Sequence, residues 1–300
     1  MYEMLFDILS RPVPATLYHY STQEGLLGIV QKEQIWATHT QHLNDRREYV
    51  HALDLVRNEI RSKRKQVSDE EIIRALDEMC DAVEPDVQSI NVCVASFTEQ
   101  GDSLSQWRAY GGSNGGFAIG FYGEFLKTKA KDESAFLVPC IYDPARQQEV
   151  VTKFVNAVLD EVMAYRNIKE SDDEGEFFFW RHGGNLRAYL NCLAPVMKDY
   201  SFSDEREWRI ITRPLMCSLE GFDYRPGKSS VIPFFRFPLA KTSEQAGEPN
   251  IREVVIGPTL NPTLSASSVG SLLASKRLMS EFTPGGPVRV RESTIPYRAW

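Results

Sequence analysis

The sequence lacks any hydrophobic run that approaches the roughly 20 residues needed to cross a bilayer. Its first residues, Met1 to Asp7, carry an acidic side chain at position 3 and no apolar core of a secretory signal. Hydrophobic residues make up 42% of the 300 and charged residues 25%, which is typical of a globular protein rather than a disordered one. We therefore expect a cytoplasmic protein that is neither exported nor inserted into a membrane.

Positive charge is in short supply. Lysine and arginine number 34 against 41 aspartate and glutamate residues, and the formal net charge is -7. Proteins that bind nucleic acid or anionic membranes through bulk attraction usually have a basic balance, so this composition argues against both. A local basic groove stays possible. The densest cationic run is Arg57 to Lys65, which is either a solvated helix face or a contact surface for a macromolecule.

Disulfide and metal-binding motifs are also missing. The chain has five cysteines, an odd number, and no C-x-x-C pair, so neither a disulfide framework nor a zinc site is predicted. His39, His42 and His51 are irregularly spaced and have no carboxylate or cysteine partner at ligand spacing. We predict reduced cysteines in the core and no metal site.

Strand-like and helical segments do not alternate regularly along the chain. Runs rich in β-branched, aromatic and other apolar residues predict strands. These runs are 17–20, 35–38, 91–97, 117–121, 136–142, 208–212, 231–237, 253–257 and 288–290. Helical periodicity marks two helical insertions, at about 46–89 and 146–198. The pattern predicts one α+β domain over residues 1–300 rather than a doubly wound sheet.

A histidine stands inside the first strand-like run, Thr16-Leu-Tyr-His-Tyr20. Side chains alternate between the two faces of a strand, so Tyr18 and Tyr20 share one face and His19 lies on the other. One interpretation is a core histidine with one satisfied ring nitrogen. The other, at least as well supported by the alternation, is a side chain that faces a pocket.

Two hydroxyl residues end the most apolar strand of the chain. Ser96 and Thr98 are two apart and therefore share a face, where they either cap the next turn or line a pocket. Trp107 and Arg108 follow, close to the glycine-rich run 111–116. An aromatic ring beside a guanidinium group suits a nucleotide, but the glycines match no phosphate-binding fingerprint and predict a hinge or hairpin loop.

Glu205 and Glu207 lead into the run Trp208-Arg-Ile-Ile211. We expect the two glutamates to share one face of the strand that they enter. They are either solvated charges on an edge strand, together with Arg206 and Arg209, or carboxylates at the border between solvent and core. The apolar residues that follow favour the border, where catalytic tuning of a carboxylate becomes possible.

These segments together resemble a bacterial family known as domain of unknown function 2971. The resemblance is carried by short motifs distributed over the whole chain. They are Leu17-Tyr-His-Tyr20, Trp36-Ala-Thr38 with Leu43-Asn-Asp45, Ala95-Ser-Phe97, Leu104-Ser-Gln-Trp-Arg108, Glu205-Arg-Glu-Trp-Arg209, Val254-Val-Ile-Gly-Pro258 and Ser293-Thr-Ile-Pro-Tyr-Arg298. The family name implies no activity.

The order of the polar residues is similar, more distantly, to the ADP-ribosyltransferase superfamily. That resemblance implies two small antiparallel sheets that form a cleft for NAD. It implies that Glu207 is the catalytic glutamate, that Glu205 helps to present the acceptor, and that His19 contacts the adenosine-side ribose. Ser96 and Thr98 would stand where a Ser-x-Ser motif holds the nicotinamide.

The motifs also depart from that superfamily. A bulky Tyr20 follows the histidine, the middle motif reads Ser-Phe-Thr, and Trp107 competes with Tyr110 for the residue that stacks on the nicotinamide. We therefore expect more residues near the cofactor than the superfamily motifs alone would give. They are His19, Tyr20, Thr38, Ser96, Thr98, Trp107 and Arg108.

The sequence thus predicts an enzyme that cleaves the nicotinamide-ribose bond of NAD and transfers ADP-ribose to a protein, a nucleic acid or water. By analogy alone, such an enzyme suits a bacterial toxin or an antiphage effector. A non-catalytic ligand-binding or interaction module on the same scaffold is the first alternative. The second is a metal-dependent nuclease that uses Asp45, Asp102, Glu205 and Glu207. The NAD hypothesis requires His19, Ser96 and Glu207 to converge on one cleft.

Overall fold

The structure is a computed structural model that describes residues 2–43, 46–83, 91–112, 115–168, 186–240, 250–283 and 285–296. No helix within these ranges is long and apolar enough to cross a membrane.

Helices and β-strands follow each other in an irregular order, as expected for the α+β class. The helices are α1 Tyr2–Leu9, α2 Gln23–Lys32, α3 Arg46–Gln66, α4 Glu70–Ala82, α5 Leu104–Tyr110, α6 Gly123–Asp132, α7 Pro144–Ile168, α8 186–193 and α9 Pro262–Ser275. The strands are β1 Thr16–Ser21, β2 Gln34–His39, β3 Cys93–Thr98, β4 Phe117–Tyr122, β5 Phe136–Pro139, β6 Glu207–Ile211, β7 Phe222–Pro226, β8 Val231–Pro238, β9 Ile251–Ile256 and β10 Arg289–Glu292.

All ten strands belong to one open, mixed sheet. Eight of them follow the order β10-β9-β4-β1-β3-β2-β8-β7, and β6 pairs with β3 and β5 beside this path. The pair β10 and β9 is parallel, and the other pairs are antiparallel. The α+β class is therefore confirmed. The two separate small sheets that the superfamily resemblance implied are replaced by one connected sheet.

Strand β3 changes its partner along its length, and this change creates the site. Its first half pairs with β2, where Val94 lies opposite Thr38, and its last residue Thr98 lies opposite Tyr18 of β1. Its other edge pairs with β6 throughout. Near Ser96 the partner of β3 on this edge changes from β2 to β1. The backbone carbonyl of Ser96 can therefore accept a hydrogen bond from a side chain instead of from a neighbouring strand.

The sheet is covered on both faces. One face packs against α1, α3, α4, α7 and α8, and the other packs against α2, α6 and α9. The helices of both predicted insertions, α3 with α4 and α7 with α8, lie together in the first of these layers. Strand β6 is buried along its whole length because it runs between these two cores. Any charged side chain on β6 therefore needs a partner inside the protein.

Candidate functional site

A pocket lies beside the end of β3, between β1, α5 and the start of β6. It contains about 360 Å³ of empty space, a figure that includes open solvent. Its lining residues are Tyr18, His19, Tyr20, Ser96, Phe97, Thr98, Gln106, Tyr110, Glu205 and Glu207. The predicted convergence of His19, Ser96 and Glu207 on one cleft is therefore observed, while the roles assigned to them stay predictions.

His19 is positioned by the change of partner in β3. Its Nδ1 lies 2.9 Å from the carbonyl oxygen of Ser96, and its ring packs 5.8 Å from the ring of Phe97. A carbonyl oxygen can only accept a hydrogen bond, so Nδ1 carries the ring proton. Burial lowers the pKa of His19 and outweighs the opposing effect of this hydrogen bond. The ring is thus neutral near pH 7, and Nε2 is a hydrogen-bond acceptor.

Tyr18 and Tyr20 are held by hydrogen bonds on either side of His19. The Tyr20 hydroxyl donates to the carbonyl of Gln100 at 2.9 Å and accepts from the amide of Ser103 at 3.0 Å. The Tyr18 hydroxyl donates to Glu253 at 2.7 Å. Burial, followed by Glu253, raises the pKa of Tyr18 to about 12, and burial also raises the pKa of Tyr20. Both hydroxyls therefore stay protonated.

Trp107 lies beneath the pocket rather than in it. The indole is buried and packs edge-on against Tyr20, with ring centroids 4.5 Å apart. Its Nε1 donates to Asp102 at 2.8 Å, so the indole is held on the side that faces the core. Trp107 therefore does not line the pocket, and its predicted contact with the cofactor gains no support. Tyr110, one turn further along α5 and 39% exposed, lines the pocket instead.

Asp102 fastens the C-terminal segment to the loop before α5. Besides Trp107, it accepts from the hydroxyl of Ser293 at 2.6 Å and from the amide and hydroxyl of Thr294 at 2.8 and 3.0 Å. Burial alone would raise its pKa, but these hydrogen bonds hold the pKa below its usual value. Two of the motifs that carry the sequence resemblance meet at this carboxylate. Asp102 is thus a structural link between distant segments, not a helix start with a solvated charge.

Thr98 fixes the entrance to β6. Its hydroxyl donates to the carbonyl of Glu205 at 2.6 Å and accepts from the amide of Gln100 at 3.1 Å. Glu205 ends a 3-10 turn and Arg206 has a left-handed backbone with φ of 42°, so only Glu207 lies on the strand itself. The expectation that both glutamates share one face of a strand is wrong. They converge because the chain turns between them.

The two carboxylates meet at one ammonium group. Lys198 Nζ donates to Glu207 Oε2 at 2.6 Å and also to Glu205 Oε2. Arg209 forms a two-pronged pair with Glu207, at 2.8 Å to Oε1 and 2.9 Å to Oε2. Lys198, Glu207 and Arg209 are all buried, and the side chain of Glu205 is 23% exposed. Glu205 is therefore the more accessible of the two acids.

These contacts decide the protonation of the buried groups. Burial alone would raise the pKa of Glu207, but the charges of Arg209 and Lys198 lower it to about 2. Burial alone would lower the pKa of Lys198, but Glu207 raises it above its usual value. Glu207 is thus ionised at any pH near neutrality. The formal charges of the four side chains sum to zero, counting Glu205 and Glu207 against Lys198 and Arg209.

Glu207 is also held from behind. Its amide donates to the Tyr142 hydroxyl at 2.9 Å, and the Cys140 thiol lies 3.7 Å from its Oε2. Burial raises the pKa of Tyr142, which therefore stays protonated. The carboxylate accordingly has a fixed orientation, set by Arg209 on β6, by Lys198 and by Cys140 in the loop after β5.

Two of the other predicted cofactor residues lie elsewhere. Thr38 pairs with Val94 in the sheet, and its hydroxyl accepts from Arg225 at 3.1 Å. Arg108 is exposed on α5 and does not line the pocket. Helical geometry explains this placement, because Gln106 and Tyr110 are four residues apart and share the face of α5 that Arg108 does not.

The residues that sequence reasoning missed are Gln106, Lys198 and, as a buried partner, Arg209. The ion pair of Arg209 could have been predicted, because a guanidinium group inside a buried apolar strand needs a carboxylate partner. The role of Lys198 could not be predicted from the sequence, because its contact with Glu205 and Glu207 depends on the path of the chain after α8.

The metal-dependent alternative gains no support from the described residues. Within them, no group of three or more histidine, cysteine or acidic side chains is arranged to hold a metal ion. Asp102 is bound to Ser293, Thr294 and Trp107 and does not line the pocket of Glu205 and Glu207. Asp45 lies outside the described residues.

We call the His19, Tyr20 and Tyr110 side of the pocket the aromatic wall. The charged wall is formed by Glu205 and Glu207, with Lys198 and Arg209 behind them. The aromatic wall offers rings and a neutral acceptor nitrogen, and the charged wall offers two carboxylates, of which Glu207 is ionised. A ligand with hydroxyl groups and a flat ring fits this combination chemically.

Comparison with known proteins gives one family. No curated protein and no solved structure shows significant similarity to the chain. The family described as "Protein of unknown function (DUF2971)" matches residues 106–210, a segment that runs from Gln106, which lines the pocket, to Ile210 of β6 and includes Glu205 and Glu207. The match covers 105 of the 300 residues and agrees with the resemblance to this family that the sequence motifs indicate.

Proposed function

We propose that the pocket binds NAD and cleaves its nicotinamide-ribose bond, with ADP-ribose passed to a macromolecule or to water. The supporting observation is that residues from three distant segments, His19, Ser96 and the pair Glu205 and Glu207, line one pocket. A neutral histidine, a hydroxyl and two carboxylates thus surround one cavity.

The reaction asks for few groups. When the bond between the nicotinamide nitrogen and C1′ of the ribose breaks, the electron pair stays on nicotinamide, which leaves as a neutral molecule. Positive charge develops on the ribose, as in glycoside hydrolysis, and a nearby carboxylate stabilises it. The acceptor then bonds to C1′ and loses a proton, which a second carboxylate can take up.

The aromatic wall is assigned to binding. Nε2 of neutral His19 can accept a hydrogen bond from a ribose hydroxyl, because Nδ1 is already committed to Ser96. Tyr110 is partly exposed and offers its ring for stacking on a flat heterocycle. The nicotinamide-ribose half of NAD is assigned to the pocket, and the remainder of NAD would extend into solvent.

The charged wall is assigned to chemistry. Glu207 is ionised and fixed in orientation, as a group that opposes a developing positive charge should be. Glu205 is the more exposed and can reach an incoming acceptor, so it is assigned to proton removal. Lys198 touches both acids and is a positioning residue.

One observation favours the second candidate, a non-catalytic ligand-binding module. Arg209 and Lys198 together neutralise Glu207, and cations this close weaken the attraction of the carboxylate for positive charge on a ribose. Under this alternative the ion pairs only hold β6 in place, and the pocket binds a nucleotide without turnover.

Nicotinamide release from NAD by the purified full chain separates the two candidates. The enzyme hypothesis expects release, and Glu207→Gln should lower it by about two to three orders of magnitude, as loss of one electrostatic contact in a transition state does. Glu281→Gln, the same change at an exposed site, is the matched control. Turnover that survives Glu207→Gln would remove Glu207 from the mechanism.

Glu205→Gln separates transfer from hydrolysis. If Glu205 takes the acceptor proton, the variant keeps slow nicotinamide release but loses labelling of a macromolecule. Equal loss of both would limit Glu205 to supporting Glu207. Binding of ADP-ribose with no nicotinamide release by any form of the protein would establish the non-catalytic module.

A cellular test addresses the proposed role as a toxin or antiphage effector. A chain that consumes NAD should slow bacterial growth when expressed, and Glu207→Gln should restore growth at an equal protein level. Equal toxicity of both forms would disconnect growth inhibition from this pocket.

A further inference from the structure

A second, larger pocket lies near the first. It contains about 790 Å³ of empty space, including open solvent, and is bounded by the end of α1, the end of β5 and the start of α7. Its polar lining residues include Arg11, Tyr142, Asp143, Arg146 and Tyr200. Neither the family match nor the proposed NAD chemistry assigns a role to this pocket.

The charges around the second pocket favour an anion. Arg11 and Arg146 contribute two guanidinium groups, and Asp143 is the single carboxylate among the lining residues. The Asp143 carboxylate accepts hydrogen bonds from the backbone amides of Ala145 at 2.7 Å and Arg146 at 3.3 Å. Its negative charge is therefore partly compensated by the first turn of α7. Two cations therefore face the cavity of a protein that is acidic as a whole.

Both arginines are able to donate to a ligand. Arg11 is exposed, and the side chain of Arg146 is 28% exposed. Arg146 also pairs with Glu149, but a guanidinium group has five N–H donors, so this pair leaves others for a ligand. Guanidinium groups match the geometry of phosphate oxygens, and a phosphate monoester carries about two negative charges near neutral pH.

The remaining surface favours a flat ring. Tyr200 is 68% exposed, which is unusual for a large aromatic side chain, and it lies at this pocket with Tyr142. Leu9, Pro139 and Ile141 supply an apolar surface beside the two rings. Tyrosine rings and guanidinium planes both stack on aromatic ligands.

We propose that the second pocket binds a phosphate monoester carried on a planar aromatic ring, with Arg11 and Arg146 on the phosphate and Tyr200 on the ring. The site adjoins the first pocket through Glu207, which touches Tyr142 and Cys140 of the second pocket and lines the first. The proposal does not depend on NAD turnover.

Phenyl phosphate is the simplest probe, because it contains the ring and the phosphate and nothing else. We expect it to bind the full chain, by NMR titration, with a Kd of about 1 mM or lower. Inorganic phosphate and phenol should each bind at least tenfold more weakly, since each lacks one half of the recognised group. Binding of inorganic phosphate as tight as that of phenyl phosphate would overturn the role of the ring.

Variants locate the site. Arg11→Gln and Arg146→Gln should each weaken phenyl phosphate binding by about tenfold, the effect of removing one charge-assisted hydrogen bond. Arg289→Gln, at an exposed position on β10, and His19→Ala, in the first pocket, should leave the Kd unchanged. If His19→Ala weakens binding and the arginine variants do not, the probe occupies the first pocket and the proposal is wrong. Absence of any binding also overturns it.

Discussion

The two walls of the first pocket are held in place by different kinds of interaction. The aromatic wall is fixed by hydrogen bonds to backbone groups, as between His19 and the carbonyl of Ser96 or Tyr20 and the amide of Ser103. The charged wall is fixed by buried ion pairs of Lys198 and Arg209 with Glu207. A neutral hydrogen bond contributes about 1 kcal/mol, whereas breaking a buried ion pair leaves an uncompensated charge.

This difference teaches which wall can be changed without unfolding the protein. Substitutions on the aromatic wall should affect ligand binding more than stability. Substitutions behind the charged wall should affect both, because Glu207 lies on β6 between two cores. Tests of activity at Glu207 therefore need Glu207→Gln, which keeps the shape and the hydrogen-bond acceptor, in place of alanine.

Removal of Arg209 should produce the largest effect. Arg209→Met keeps an apolar stem of similar length but leaves Glu207 buried with Lys198 as its remaining cation. We expect the free energy of unfolding, measured with urea, to fall by about 3–5 kcal/mol. Arg289→Met on exposed β10 should change it by less than about 0.5 kcal/mol.

The double variant sharpens the same comparison. Glu207→Met together with Arg209→Met removes both members of the pair and should recover part of the stability lost in the single variant. If Arg209→Met alone lowers the free energy of unfolding by less than about 1 kcal/mol, solvent screens the charged wall. The two walls would then contribute similarly to stability.

Loss of Asp102 should lower the free energy of unfolding less than loss of Arg209 does. Asp102 supports the aromatic wall, because it binds Trp107, which packs against Tyr20. Asp102→Ala leaves the buried indole N–H of Trp107 without its acceptor and releases Ser293 and Thr294. We expect a loss of about 2–3 kcal/mol and faster proteolysis near residue 293. Asp102→Asn keeps an acceptor oxygen and should lose about half as much. Equal losses would show that the charge, not the acceptor, holds the C-terminal segment.

Local patterns in the sequence predicted most elements that form the pocket. The aromatic and apolar runs of β1, β3 and β6 were recognisable. Alternation along β1 correctly grouped Tyr18 with Tyr20, which pack in one cluster, but all three residues line the pocket. Helices α1, α6 and α9 and strand β7 were missed. Helix α6 begins at Gly123 directly after β4, where neither a side-chain cap nor a break marks its start.

The long-range pairings could not be read from local patterns. The partner change in β3 depends on contacts with β1, β2 and β6, which are remote in the chain. For the same reason Trp107 was assigned to the cofactor although Asp102 and Tyr20 draw it into the core. Lys198 was counted as the end of a helix, whereas its ammonium group joins the two acids of the site.

The smallest expected effect is a pH dependence that distinguishes the walls. In the unfolded chain a histidine takes up its proton near about pH 6.5, but burial lowers the pKa of folded His19. Below about pH 6.5 the unfolded state therefore binds more protons than the folded state, and stability falls as the pH falls. The pKa of Glu207 is also lowered, to about 2, so its contribution is lost only from about pH 4.3 downward.

The aromatic wall should accordingly weaken first on acidification. Between about pH 7 and pH 5, the free energy of unfolding of His19→Asn should fall less steeply than that of the native chain, because asparagine has no proton to gain. Urea unfolding at a series of pH values measures the two slopes. Identical slopes would mean that His19 titrates normally in the folded protein, and its Nε2 would then be protonated at mildly acidic pH and unable to accept a hydrogen bond from a ligand.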